Sequence, residues 1–90
     1  MNLEITGDFE HDIERIRHDA TLRQRVDRVI EQIEQATTVA AVPNIRKLKG
    51  HRLYYRIRVG NYRIGLKVEG NLVTLSRFLH RKDIYREFPG

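Results

Sequence analysis

Ninety residues carry 17 Lys and Arg against 12 Asp and Glu, a formal net charge of +5, with 40% hydrophobic and 32% charged residues. That length allows one small domain, residues 1–90, with a modest core, and the absence of cysteine excludes a disulfide framework, a thiolate zinc site and a cysteine nucleophile. No apolar run is long enough to span a membrane or resemble a signal peptide, so a cytoplasmic protein is the default expectation.

Met1–Thr6 alternates around Leu3 and Ile5, which suits one brief strand. Gly7-Asp8 offers a turn and an N-cap. Phe9, Ile13, Ile16 and Ala20 then recur at spacings of four, three and four, the apolar stripe of an amphipathic helix. Thr21 with Gln24 has the form of a capping box, and Leu22, Val26, Val29, Ile30 and Ile33 carry a second stripe to about Gln35. The two stripes predict a helical hairpin with one apolar seam, meeting near Asp19–Thr21 and leaving Glu10, Glu14, Glu31 and Glu34 to water.

Pro43 prevents helix from continuing, and Ile45-Arg46-Lys47-Leu48-Lys49-Gly50 reads as a basic connection. Beyond it the period falls from 3.6 to 2. Tyr54–Val59, Tyr62–Val68 and Leu72–Leu79 alternate as strands, joined by Gly60-Asn61 and by Glu69-Gly70-Asn71. These form a meander, and His80–Phe88 remains as a short C-terminal loop or helix. The fold class is therefore α+β: a strand and a helical hairpin packed on a small antiparallel sheet.

Charge is divided unevenly along this plan. Residues 1–45 hold nine acids and five Lys or Arg, whereas residues 46–90 hold three acids and twelve Lys or Arg. A basic half on a small domain suggests a polyanionic partner, nucleic acid being the common one. The two-residue turn sharpens this, because it pairs Val59 with Tyr62, Arg58 with Arg63, Ile57 with Ile64 and Arg56 with Gly65. The apolar faces then coincide, and Arg58 stands opposite Arg63. Like charges facing across strands cost up to roughly 1 kcal/mol, so a sheet selected only for folding would avoid them. Gly65 opposite Arg56 is expected to leave a hollow beside the arginines, and guanidinium forks bond phosphate oxygens in pairs. His80, with Arg81 and Tyr85 after it, adds proton exchange, charge stabilisation and a stacking surface. His11 and His18, seven residues apart without a third ligand, do not suggest a metal site, and no cofactor is expected.

The runs Ile45-Arg46-Lys47-Leu48-Lys49-Gly50, Tyr55-Arg56-Ile57-Arg58-Val59-Gly60-Asn61-Tyr62-Arg63 and His80-Arg81-Lys82-Asp83-Ile84-Tyr85 resemble the RelE/ParE superfamily of bacterial toxins. The resemblance covers essentially the whole chain and implies a RelE-like, microbial-RNase-like fold. It implies a type II toxin: either a ribosome-dependent messenger-RNA endonuclease or, on the ParE branch, a DNA gyrase inhibitor. A third reading is an attenuated toxin that mainly binds its antitoxin. Carried over residue by residue, Arg56, Arg58, Arg63, Arg81 and Tyr85 occupy catalytic positions. By the same resemblance Lys47 and Lys49, and with them Arg52 as RNA-binding, match the basic loop before the meander and would grip RNA or ribosomal RNA backbone. The family's paired lysines are replaced by Arg56 and Arg58, which do not readily act as bases, so His80 becomes the candidate base. The implied partners are messenger and ribosomal RNA and a small acidic antitoxin, in a toxin–antitoxin hetero-oligomer that represses its own operon.

Overall fold

The computed structural model describes residues 1–89. The chain runs through β1 (Asn2–Ile5), α1 (Gly7–Arg15), α2 (Ala20–Gln35), a single 3-10 turn at Val39–Ala41, β2 (Ile45–Lys47), β3 (Tyr54–Val59), β4 (Tyr62–Glu69), β5 (Leu72–His80) and α3 (Ile84–Glu87). The strands form one sheet in the order β1-β5-β4-β3-β2. Strands β3, β4 and β5 make the expected meander, and Val59↔Tyr62, Arg58↔Arg63, Ile57↔Ile64 and Arg56↔Gly65 pair as the turn requires.

The sheet is larger than its sequence signal, and it is mixed. β1 enters parallel to β5, from Asn2↔Leu72 to Ile5↔Leu75. The run read as a basic connection begins with β2, antiparallel to β3 through Ile45↔Ile57, Arg46↔Arg56 and Lys47↔Tyr55. Three residues are too few to display alternation, so β2 is set by its partner rather than by local propensity.

The helix ends also differ from the expectation. Thr6, not Asp8, caps α1: its hydroxyl accepts from Phe9 N–H at 3.1 Å and donates to the Ser76 carbonyl at 3.0 Å. α1 stops at Arg15, with Ile16 at its C-cap. Asp19 rather than Thr21 caps α2, its carboxylate accepting from Leu22 N–H at 3.0 Å. At the far end of α2 the Met1 amino group donates to the carbonyls of Ile33, Glu34 and Ala36, supplying donors and positive charge where a helix leaves carbonyls unpaired.

Two apolar clusters hold the sheet from opposite sides. On one face Phe9 and Ile13 of α1 and Leu22, Val26 and Ile33 of α2 bury against Ile57, Val59, Ile64, Leu66, Val73, Leu75 and Phe78. On the other, Ile84 and Phe88 close over Leu48 and Leu79, with Tyr54 packed against them. The short α3 is thus held by its side chains on the face opposite the helical hairpin, since one turn has little stability alone.

One buried ion pair ties these layers at the edge of β5. The pairing of β4 with β5 shifts between Gly65↔Arg77 and Leu66↔Leu75, a bulge that leaves Ser76 without a partner on β4. Beyond Leu75, among the described residues, that edge of β5 has no strand beside it. Asp12 of α1, only 2% exposed, takes the place of one. It accepts from Phe78 N–H at 2.9 Å and from Arg77 Nε and Nη2 at 2.8 and 3.2 Å. Arg77 Nη1 also lies 3.7 Å from Glu87 of α3. Asp12→Ala therefore strands both a buried amide and a half-buried guanidinium. It should lower the unfolding free energy in urea by about 3 kcal/mol. Asp12→Asn, which keeps an acceptor for Phe78, should cost roughly half as much.

Candidate functional site: an arginine face

The Gly60-Asn61 turn organises the cationic face. Gly60 sits at φ +60, the left-handed region that a two-residue hairpin needs and that glycine enters freely. Arg63 Nη1 donates back to the carbonyls of Gly60 and Tyr62 at 3.1 and 2.8 Å, which fixes its guanidinium beside the turn. The Asn61 carbonyl accepts from Arg81 N–H at 2.8 Å, drawing the chain that leaves β5 to the same place. Arg58 and Arg56 arrive from β3 on the face that carries Arg63.

Electrostatics agrees with this placement. The Arg63 guanidinium titrates below the ordinary arginine value, chiefly because burial disfavours its charge and then because Arg56 and Arg58 repel it. Arg81 acts in the same direction, whereas Tyr85 opposes it. No carboxylate and no imidazole is among the groups that set this balance. Four arginines and one tyrosine therefore share a neighbourhood in which an anion would relieve mutual repulsion. Tyr85, on α3, is 62% exposed, so its ring is available for stacking.

The structure does not bring every anticipated residue here. His80 pairs with Tyr62 across β4 and β5, on the helix-side face. Its ring meets Tyr62 edge-on at 5.5 Å, and Tyr62 stacks on Phe78 at 5.0 Å. Its Nδ1 accepts from Lys82 N–H at 3.2 Å and its carbonyl from Asp83 N–H at 2.8 Å, so His80 shapes the turn into α3. Strand alternation sets it on the face opposite Arg56, Arg58 and Arg63, and the bulge at Ser76, which resets the alternation of β5, hides this in the sequence. Lys47 pairs with Tyr55 and likewise belongs to the helix-side face. Lys49 and Arg52 are exposed in the loop before β3, at the opposite end of that strand from Arg58.

Two further corrections concern the sheet itself. The hollow expected at Gly65 is filled: a Cβ there would lie 2.7 Å from the Phe88 ring, so the missing side chain admits Phe88 instead of a ligand. Gly65 thereby seats α3 and, with it, Tyr85. Arg46, passed over as part of a connection, stands beside Arg56 on the same face and extends the cationic row to the sheet edge. The only sequence signal for Arg46 was the short Ile45-Arg46-Lys47 alternation.

These features define a class of small α+β protein with a cationic sheet face under a C-terminal turn of helix. Residues 3–85 match the ParE toxin of type II toxin–antitoxin systems, parDE. The chain is 45% identical over 69 residues to Toxin RelE3 of Methanocaldococcus jannaschii, covering 76% of this chain and 78% of that protein. Among solved structures it resembles the RelB-RelE antitoxin-toxin complex from Methanococcus jannaschii, with a TM-score of 0.78, 37% identity, and 96% and 99% of the two chains covered. The fold also matches YafQ in the DinJ-YafQ complex of E. coli, with a TM-score of 0.75 at 15% identity over 93% and 97% of the chains. The chain belongs to the RelE/ParE superfamily of toxins of type II toxin–antitoxin systems.

Because Arg58 and Arg63 face each other, Arg58→Thr should stabilise the fold by a few tenths of a kcal/mol, up to about 1 kcal/mol, seen as a higher urea midpoint at unchanged slope. Gly65→Ala should have the opposite effect, by roughly 1–3 kcal/mol, since the Phe88 ring must move.

Proposed function

We propose that this toxin is a ribosome-dependent messenger-RNA endonuclease whose substrate phosphate lies among Arg56, Arg58, Arg63 and Arg81. The observation that carries this reading is the placing of Arg56, Arg58 and Arg63 on one sheet face, with Arg81 drawn to the same turn through its backbone N–H to the Asn61 carbonyl. The reaction is transfer to the RNA's own 2′-hydroxyl. The 2′-oxygen bonds to the adjacent phosphorus and the bond to the following 5′-oxygen breaks. A 2′,3′-cyclic phosphate and a free 5′-hydroxyl result, the proton lost from one oxygen balancing that gained by the other. Negative charge accumulates on the phosphorane, and fixed guanidinium donors stabilise it more than the starting diester.

None of these arginines readily accepts a proton. The face therefore contributes charge stabilisation and alignment, and Tyr85 stacks on a base next to the scissile bond. His80 acts structurally in this scheme, through Tyr62 and the turn into α3. Lys49 and Arg52 hold RNA backbone farther along the face, and Lys47 does so from the sheet edge. The partner in the resting state is a cognate antitoxin, an acidic segment of which covers the arginines. This agrees with the RelB-RelE and DinJ-YafQ pairs having been solved as complexes.

The match to the ParE toxin favours a second reading, inhibition of DNA gyrase by an interaction surface without catalysis. The experiment that separates the two is primer extension on a translated message, with and without ribosomes. Codon-phased cuts that need ribosomes are expected. Intact message accompanied by gyrase-dependent DNA breaks would establish the second reading instead. Within the first, Arg63→Ala should lower the cleavage rate by about 10²–10³-fold. His80→Ala, if it folds, should stay within about tenfold of the wild type, less than the 10²–10⁴-fold that a general base contributes.

A further inference from the structure

A groove between α2 and the end of β3 adds Arg25 and Arg28, which the proposed reaction does not use, to Arg58, which it does. Arg25 and Arg28, one turn apart on α2, line it together with Gln32 of α2, with Pro43 and Asn44 before β2, and with Arg58, Val59 and Gly60 at the end of β3. Its volume is about 460 Å³, within the range of roughly 300–1,000 Å³ for ligand clefts. No acidic residue is in the lining. Among the described residues, Arg25, Arg28 and Arg58 have no carboxylate within ion-pair distance. Arg28 and Gln32 also border the neighbouring groove that Asp27 and Glu31 line, and of those two acids Asp27 is engaged by Arg23 at 3.2 Å.

The groove is also built, in that the fold places one of its cations. Arg25 Nη1 lies 3.0 Å from the position a Gly60 Cβ would occupy, so its guanidinium rests on the turn that organises the arginine face. Arg58 belongs to both places, since it lines the groove and faces Arg63 across the strands. The two cationic regions are thus continuous around the end of β3.

We propose that the groove between α2 and the end of β3 binds the backbone of the same RNA strand beyond the scissile phosphate, with Arg25 and Arg28 each engaging a phosphodiester. The inference rests on the endonuclease reading and adds a substrate track to it. Two features favour RNA over an acidic protein segment. The track continues directly from a phosphate site through Arg58, and the Gln32 and Asn44 amides add the mixed donors and acceptors that sugar and phosphate groups use.

The test is fluorescence anisotropy with 2′-O-methyl RNA, whose blocked hydroxyl prevents cleavage, as a trimer and as a decamer. The proteins are the wild type, Arg25→Gln/Arg28→Gln and Arg63→Gln, each checked by thermal melting. Glutamine preserves helix propensity at both α2 positions. The double variant should bind the decamer about tenfold more weakly, with the log–log salt slope shallower by about 1.4, two phosphates at about 0.7 each. Its affinity for the trimer should be unchanged. Equal decamer binding and equal salt slopes for the double variant and the wild type would overturn the track. So would loss of polyglutamate binding with RNA binding intact, which would assign the groove to an acidic protein. Failure of the endonuclease reading looks different: Arg63→Gln would then match the wild type on both RNAs.

Discussion

The two-residue connection at Gly60-Asn61 is the constraint on which the cationic face depends. A turn this short permits one register, and that register sets Arg58 against Arg63 and Arg56 against Gly65. The same turn holds Arg63 through the Gly60 and Tyr62 carbonyls and Arg81 through the Asn61 carbonyl. From the other side α2 lays Arg25 over Gly60. A one-residue slip would exchange the arginines with Ile57, Val59 and Ile64, so the apolar core enforces the site's geometry as firmly as the turn does.

Holding like charges together costs stability, and the scaffold offsets that cost on both faces of the sheet. The helical hairpin buries one face, while Leu48, Leu79, Ile84 and Phe88 anchor the other. Gly65 contributes by being empty: the Phe88 ring occupies the space a side chain would need, which fixes α3 and presents Tyr85. Asp12 neutralises Arg77 and caps the exposed edge of β5, linking α1 to the strand that delivers Arg81. The bulge around Ser76 and this ion pair lie on the opposite edge of β4 from the Arg58–Arg63 pair. Among the described residues Arg77 has acidic partners, Asp12 and Glu87, and Arg56, Arg58, Arg63 and Arg81 have none within ion-pair distance.

What could be read from the sequence follows the range of the forces involved. Strand β3 and its pairing with β4 were legible because period-2 alternation and a Gly-Asn turn are local and mutually reinforcing. β2 and the parallel entry of β1 were not, since both are edge strands specified by partners far along the chain. The helix starts were misplaced by two residues because Thr6 and Asp19 compete with Asp8 and Thr21 as caps, and tertiary contacts, such as that of Thr6 with Ser76, select among them. Gly65 signalled close approach correctly, but the approaching group is Phe88. His80 looked chemical beside Arg81, yet it is the last residue of β5 and pairs with Tyr62 on the helix-side face, whereas Arg81 already lies in the turn that follows. The cluster of Arg56, Arg58, Arg63, Arg81 and Tyr85 emerged from register and resemblance together, whereas the Asp12–Arg77 pair, separated by 65 residues, left no local trace.

The central claim is that the turn-defined arginine face is an anion site and that the helix-side histidine is not part of it. Its most direct measurement is NMR of the arginine Nε–Hε and histidine ring signals during titration with a short 2′-O-methyl RNA. The account predicts saturable shifts and slowed solvent exchange at Arg56, Arg58, Arg63 and Arg81, with Arg15, Arg17, His11 and His80 unmoved. Shifts spread evenly over all arginines, or centred on His80 while Arg63 stays silent, would contradict it.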